Sequence, residues 1–136
     1  MAASAAIQRS YEIGDINSLN MAASAKIYQG AAVGQVSTTD TYRALAAADK
    51  FAGFATDTFD NAGGAAGAKT VQVKTTGMVE LTVVGLATTT ALGASVYASA
   101  DDTFTLTATS NSLIGKVHRI VAGATKAIVT FNADLI

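Results

Sequence analysis

The 136 residues include no cysteine, no proline and no tryptophan, and only 14% of them are charged. Without Cys there is no disulfide framework, no Cys-based zinc site and no thiol nucleophile. Acid–base chemistry is also short of material, because His118 is the one histidine and the one side chain that titrates near neutrality unperturbed. A formal net charge of −1 offers no pull toward nucleic acid or an anionic membrane. The expectation is a protein that is not an enzyme, holds no cofactor or metal, and has neither a nucleic-acid nor a membrane partner.

Long apolar runs are missing too. The N-terminus lacks the basic start and continuous apolar stretch of a secretory signal. Residues 81–100 are uncharged and about as long as a membrane span. Thr82, Thr88, Thr89, Thr90, Ser95 and Ser99 crowd that stretch, however, and Gly85 and Gly93 punctuate it as turns would. It reads as part of a soluble protein.

What the chain does have is small residues. Half of it is hydrophobic, but aromatics are 7%, and Ala, Thr and Gly predominate. At this length one domain is expected, with enough chain to bury a core. From about residue 68 onward the pattern has period 2. Val71, Val73, Val79, Leu81 and Val83 are expected on one face, with Thr75-Thr76-Gly77 as a turn or bulge between them. Further strands follow around residues 96–98, 103–109, 113–121 and 127–131, with Asp101-Asp102, Asn111-Ser112 and Ala122-Gly123 at turns. In residues 103–109 Thr alternates with inward Phe104, Leu106 and Ala108. The fold class is all-β, a compact antiparallel β-barrel or sandwich.

Residues 41–55 pull two ways. Their composition favours a helix, with Asp40 as N-cap. An internal repeat opposes it. Gly30-Ala31-Ala32-Val33 recurs as Gly93-Ala94-Ser95-Val96, Asp40-Thr41-Tyr42 as Asp102-Thr103-Phe104, and Phe51-Ala52-Gly53 as Leu113-Ile114-Gly115. Ala66-Gly67-Ala68 before Val71-Gln72-Val73 likewise resembles Ala122-Gly123-Ala124 before Ala127-Ile128-Val129. The repeat predicts a strand starting near Tyr42, a turn over residues 46–49, and two related β units closing one core.

Residues 1–25 match neither unit. They read as an extended N-terminal arm that orders on a partner, ahead of a β domain over 26–136; the alternative is an edge strand with a frayed terminus. Arg9, Tyr11, Ile13, Ile16 and Leu19 are the candidate interface residues within it.

The remaining motifs point away from chemistry. The run from Gly63 to Thr70 looks like a phosphate loop, but Ala68 stands where the loop needs Gly, and a strand follows where it needs a helix. Asp57, Asp60 and Asn61 lack the alternate spacing and closing Glu of a calcium loop, and read as Asx turns. His118 has no second His and no local Ser–acid set. The Thr rank over 103–109 suits a solvent-facing sheet surface more than an ice- or glycan-binding face. A β domain with so few charges loses little by desolvation in close protein–protein contact.

Three segments carry a family resemblance: Ile27-Tyr28-Gln29-Gly30-Ala31-Ala32-Val33-Gly34, the residues from Ala48 to Ala55, and those from Gly93 to Thr107 followed by Asn111 to Val117. Together they resemble the capsid cement (head decoration) proteins of tailed bacteriophages, over roughly residues 26–136. The resemblance implies an all-β structural protein on the outer surface of the phage head, present in the host cytoplasm during assembly. It also implies the major capsid protein as partner, and self-association as a homotrimer that bridges capsid subunits. The family brings no catalytic residue. A tail-tube or head-fibre subunit, and a bacterial surface module that binds glycan, are the alternative readings.

Overall fold

The structure, a computed structural model, describes residues 5–6 and 14–136. Twelve strands run along the described chain: β1 (Ile16–Asn20), β2 (Lys26–Ile27), β3 (Ala32–Gln35), β4 (Tyr42–Ala44), β5 (Lys50–Ala55), β6 (Phe59–Asp60), β7 (Thr70–Lys74), β8 (Thr76–Val84), β9 (Ser95–Ala100), β10 (Thr103–Thr105), β11 (Ser112–Val121) and β12 (Lys126–Asn132). Short 3-10 turns at Ala122–Ala124 and Ala133–Leu135 follow the last two. The protein is all-β, as its alternation and turn residues predict.

The strands form a five-stranded sheet in the order β1-β7-β5-β3-β4, a closed barrel in the order β10-β8-β12-β11-β9, and a two-stranded β2-β6 ribbon. Sheet and barrel are the same unit built twice. The order β8-β12-β11-β9-β10 repeats β1-β7-β5-β3-β4 strand for strand, and the registers agree. Ala32↔Phe54, Val33↔Gly53 and Gly34↔Phe51 recur as Ser95↔Lys116, Val96↔Gly115 and Tyr97↔Leu113, with a bulge at the same place. Phe54↔Lys74 and Ala55↔Val73 recur as Lys116↔Thr130 and Val117↔Val129. Ile16↔Lys74 and Asn20↔Thr70 recur as Met78↔Thr130 and Thr82↔Lys126. The parallel β8–β10 pairing that closes the barrel, Phe104↔Val83, is matched in the first unit by a single parallel bridge, Met21↔Tyr42.

One glycine pair explains why the bulge is shared. A Cβ on Gly53 would lie 2.6 Å from the Lys74 carbonyl oxygen, and one on Gly115 would collide with that of Thr130. The neighbouring strand passes too close for any side chain, at the same position in both units.

Residues 41–55 follow the repeat rather than helix propensity. β4 begins at Tyr42, the Asp49 amide donates to the Ala46 carbonyl at 3.0 Å, and β5 follows. Burial decides it: Leu45, Phe51, Phe54 and Ala55 are all buried, which a helix here would not achieve against this sheet.

Four expectations need correction. The two units do not share one core. Met21, Ile27, Ala31, Val33, Ala55, Val71 and Val73 fill the first unit, and a larger cluster fills the barrel and the seam between units. Val71 and Val73 therefore do not share a face with Leu81 and Val83. Thr75 is a buried joint by which the chain leaves one unit for the other: its amide donates to the Asp15 carbonyl, and its hydroxyl to that of Gly14. The strand expected over residues 103–109 ends at Thr105, whose hydroxyl accepts the Thr107 amide and draws the backbone off the ladder. Ala108 consequently faces solvent. Finally, residues 16–25 are no free arm. β1 pairs with β7 along its whole length, and Met21 is fully buried. Apolar burial at Met21 and a full ladder of backbone bonds hold this segment in the first unit.

Candidate assembly surface

Chemistry has little to work with among the described residues. No group of three or more His, Asp or Glu gathers as a metal site would require. His118 is exposed on β11. The Asp60 carboxylate accepts the Ala62 amide at 2.8 Å as the expected Asx turn, whereas Asp57 accepts, among the described residues, only the adjacent Thr58 amide, at 2.7 Å. Asn61 is buried and spends its Nδ2 donors on the Ala22 and Ala65 carbonyls, tying the loop after β6 to the end of β1. The Asp101-Asp102 turn joins β9 to β10. No described helix is long and apolar enough to cross a membrane.

Four ion pairs lie within the described chain. Lys26 pairs with Asp60 and Lys126 with Glu80 across neighbouring strands, and Lys74 with Asp15 just ahead of β1, all at exposed sites. Arg43 and Asp49 form the strongest pair. Nε and Nη2 of Arg43 each donate to one carboxylate oxygen at 2.9 Å, and Asp49 also accepts the Ala46 amide. The hydrogen bond to Asp49 raises the Arg43 pKa further above its ordinary value, burial opposing it only in part. Burial chiefly, and the nearby Asp40 charge, push the Tyr42 phenol up as well.

Large apolar side chains are exposed as well. Tyr28, Met78, Val84, Leu92, Leu113 and Leu135 are large hydrophobic side chains left open to solvent, and Leu135 is 82% exposed. Tyr28 lies under the Lys26 ammonium, 5.0 Å from the ring centre. It borders a hollow of about 490 Å³ where the turn before β3 meets Asp101 and Asp102 of the other unit. A second hollow, about 390 Å³ and mostly apolar, follows the outer side of β11 and β12 beside Leu113, Lys116 and the C-terminal Leu135 and Ile136. A third, about 220 Å³, opens into the first unit between Leu19, Gln35, Tyr42 and Ala52, with Ala133 and Asp134 on its rim.

The candidate interface residues separate. Arg9, Tyr11 and Ile13 lie outside the described residues. Ile16 stands on the exposed side of β1, at 39%, at the position that Met78 takes on β8. Leu19 is half-buried against its own unit's core and also lines the smallest hollow. The exposed residues of the second unit were missed by reading the segments one at a time. The repeat held the signal: Leu113 and Lys116 occupy the positions of Phe51 and Phe54, yet are exposed.

Fold and surface together define a duplicated all-β protein with large apolar side chains exposed on both units. Comparison with family models, with curated proteins and with solved structures returns no match.

Proposed function

We propose that this is a capsid cement protein of the tailed-bacteriophage kind, a virion component that binds the outside of the head as a homotrimer and bridges major capsid protein subunits. One observation carries the reading beyond the segment resemblance. A charge-poor β scaffold, with four ion pairs closed among its described residues, leaves large apolar side chains exposed on both units. Such points exclude water at little desolvation cost. Three copies engaging several capsid subunits at once convert modest contacts into a durable clamp through effective concentration. No bond is made or broken; the work is occupancy of a seam.

The test is native mass of the purified protein, followed by co-sedimentation with expanded empty capsids. Trimers that pellet with capsids are expected. A stable monomer that ignores capsids overturns the reading; filaments point to a tail-tube subunit, and a glycan-array signal to a surface module. Shortening the N-terminus for this assay must stop before Ile16, because removing residues 16–20 takes away β1.

A further inference from the structure

Inside the chain, one unit docks on the other in a defined way. Phe51 and Phe54, on the outer side of β5, close the open end of the barrel at Phe104 and Phe131. Ring centres are 4.9 Å apart for Phe54–Phe131, 6.1 Å for Phe51–Phe131 and 6.2 Å for Phe54–Phe104. Backbone bonds lock the seam: the Ala32 amide donates to the Asp101 carbonyl at 2.9 Å, and the Ala133 amide to that of Thr75 at 2.7 Å.

Because the units are register-identical, each half of this contact exists a second time, unused. The outer side of β11 carries Leu113 and Lys116 where β5 carries Phe51 and Phe54, and both are exposed. The open end of the first unit carries Tyr42 where the barrel has Phe104, and Leu19 where it has Leu81. That end is the hollow of about 220 Å³. Where Phe54 meets aromatic rings, Lys116 would meet the polar rim of Gln35, Tyr42, Lys50 and Asp134, with the Lys50 ammonium already held by the Ile136 carbonyl. Among the described residues neither Lys116 nor Asp134 is in an ion pair.

We infer that the occupant of each open face is a second copy of this chain, with Leu113 and Lys116 of one copy seated on the Tyr42–Asp134 end of the next, so that the seam between units continues from chain to chain. The contact is heterologous, joining two different faces. Those faces meet along the C-terminal turn, since Ala133 and Asp134 line one hollow and Leu135 and Ile136 the other. A heterologous contact closes into a ring when its rotation is a whole fraction of a turn, and the exposed Leu135 lies beside this one. The count of three rests on the cement reading; the contact itself does not.

The experiment is native mass by light scattering for the full chain, for Lys116→Glu, for Asp134→Lys, and for the double exchange. Expected are trimers for the parent chain, at least tenfold weaker association for each single variant, and restoration in the double. Far-UV spectra should be superimposable throughout, because both side chains are exposed. Leu135→Asp should also give monomers. A monomeric parent, a two-fold dimer, or singles that associate like the parent overturn the contact. A double variant no better than the singles overturns the Lys116–Asp134 pairing, and a larger closed ring overturns the count. Capsid co-sedimentation is scored separately: rings that ignore capsids sink the cement reading alone, and monomers that bind capsids sink this inference alone.

Discussion

Single residues decide the tightest points of the fold. Asp49 is nearly enclosed and answers three N–H donors from Arg43 and Ala46. Replacing it with Ala leaves those donors without their acceptor and should cost about 2–3 kcal/mol in urea denaturation, in line with hydrogen bonds to a charged group. In the same turn Ala48 holds a positive φ of 71°, a region that costs a Cβ-bearing residue energy. Ala48→Gly should therefore gain several tenths of a kcal/mol, even after the added freedom of the unfolded chain is counted. Loss of stability on this change would mean that the turn is not left-handed in solution. Tyr42 makes a prediction about pH. Its folded pKa lies above the unfolded value, so the folded state holds its proton longer. That contribution is complete below about pH 10 and declines as pH rises through the folded value. Tyr42→Phe removes it, so the gap in stability between the two proteins should stay constant at pH 6–9 and change once the pH passes about 10.

Elements show how the same position acquires a different role in each unit. Phe54 and Lys116 occupy matching places on β5 and β11, yet Phe54 is buried at the seam and Lys116 faces water. Phe54→Ala should cost about 3–5 kcal/mol as a buried aromatic deletion. Leu113→Ala, at the matching place of Phe51 but 37% exposed, should cost under about 1 kcal/mol in dilute monomer. Equal losses would mean that both faces are covered. This contrast also marks what the sequence could reveal. Strand identity was legible wherever period 2 or the repeat spoke, including Tyr42 against its helix propensity, because the glycines and aromatics of the repeat fix register. Pairing was not. Val71 and Val83 sit in one alternating run, and nothing local says that Thr75 carries the chain into another unit. Nor does the Thr rank announce that Thr105 will bond the Thr107 amide and stop its strand. Of the candidate interface residues, Ile16 and Leu19 sit in spacing that is neither clean helix nor clean strand, so their exposure was not legible, while Leu113 and Lys116 become visible only once their counterparts are known to be covered.

At the scale of the whole molecule, the question is whether two copies of a unit make two domains or one. Each unit has its own ladder, and the first has its own apolar cluster, which would suggest independent folding. The seam argues otherwise. Ala32, Leu45, Phe51 and Phe54 belong to the first unit by sequence and to the barrel's core by packing, so the barrel's cluster is incomplete when the first unit unfolds. Thr75 adds to this, because it bonds residues at the start of β1 and the turn after β12 together. Opening the first unit alone would strip four apolar side chains from the barrel's end, at about 1.5–3 kcal/mol for each large one. The chain should consequently melt in one transition, with calorimetric and van't Hoff enthalpies equal. Phe54→Ala should lower its midpoint without splitting it, because the remaining seam still joins the units. Two separated transitions in the parent chain would make the units independent domains and remove the rigid seam on which chain-to-chain docking is patterned.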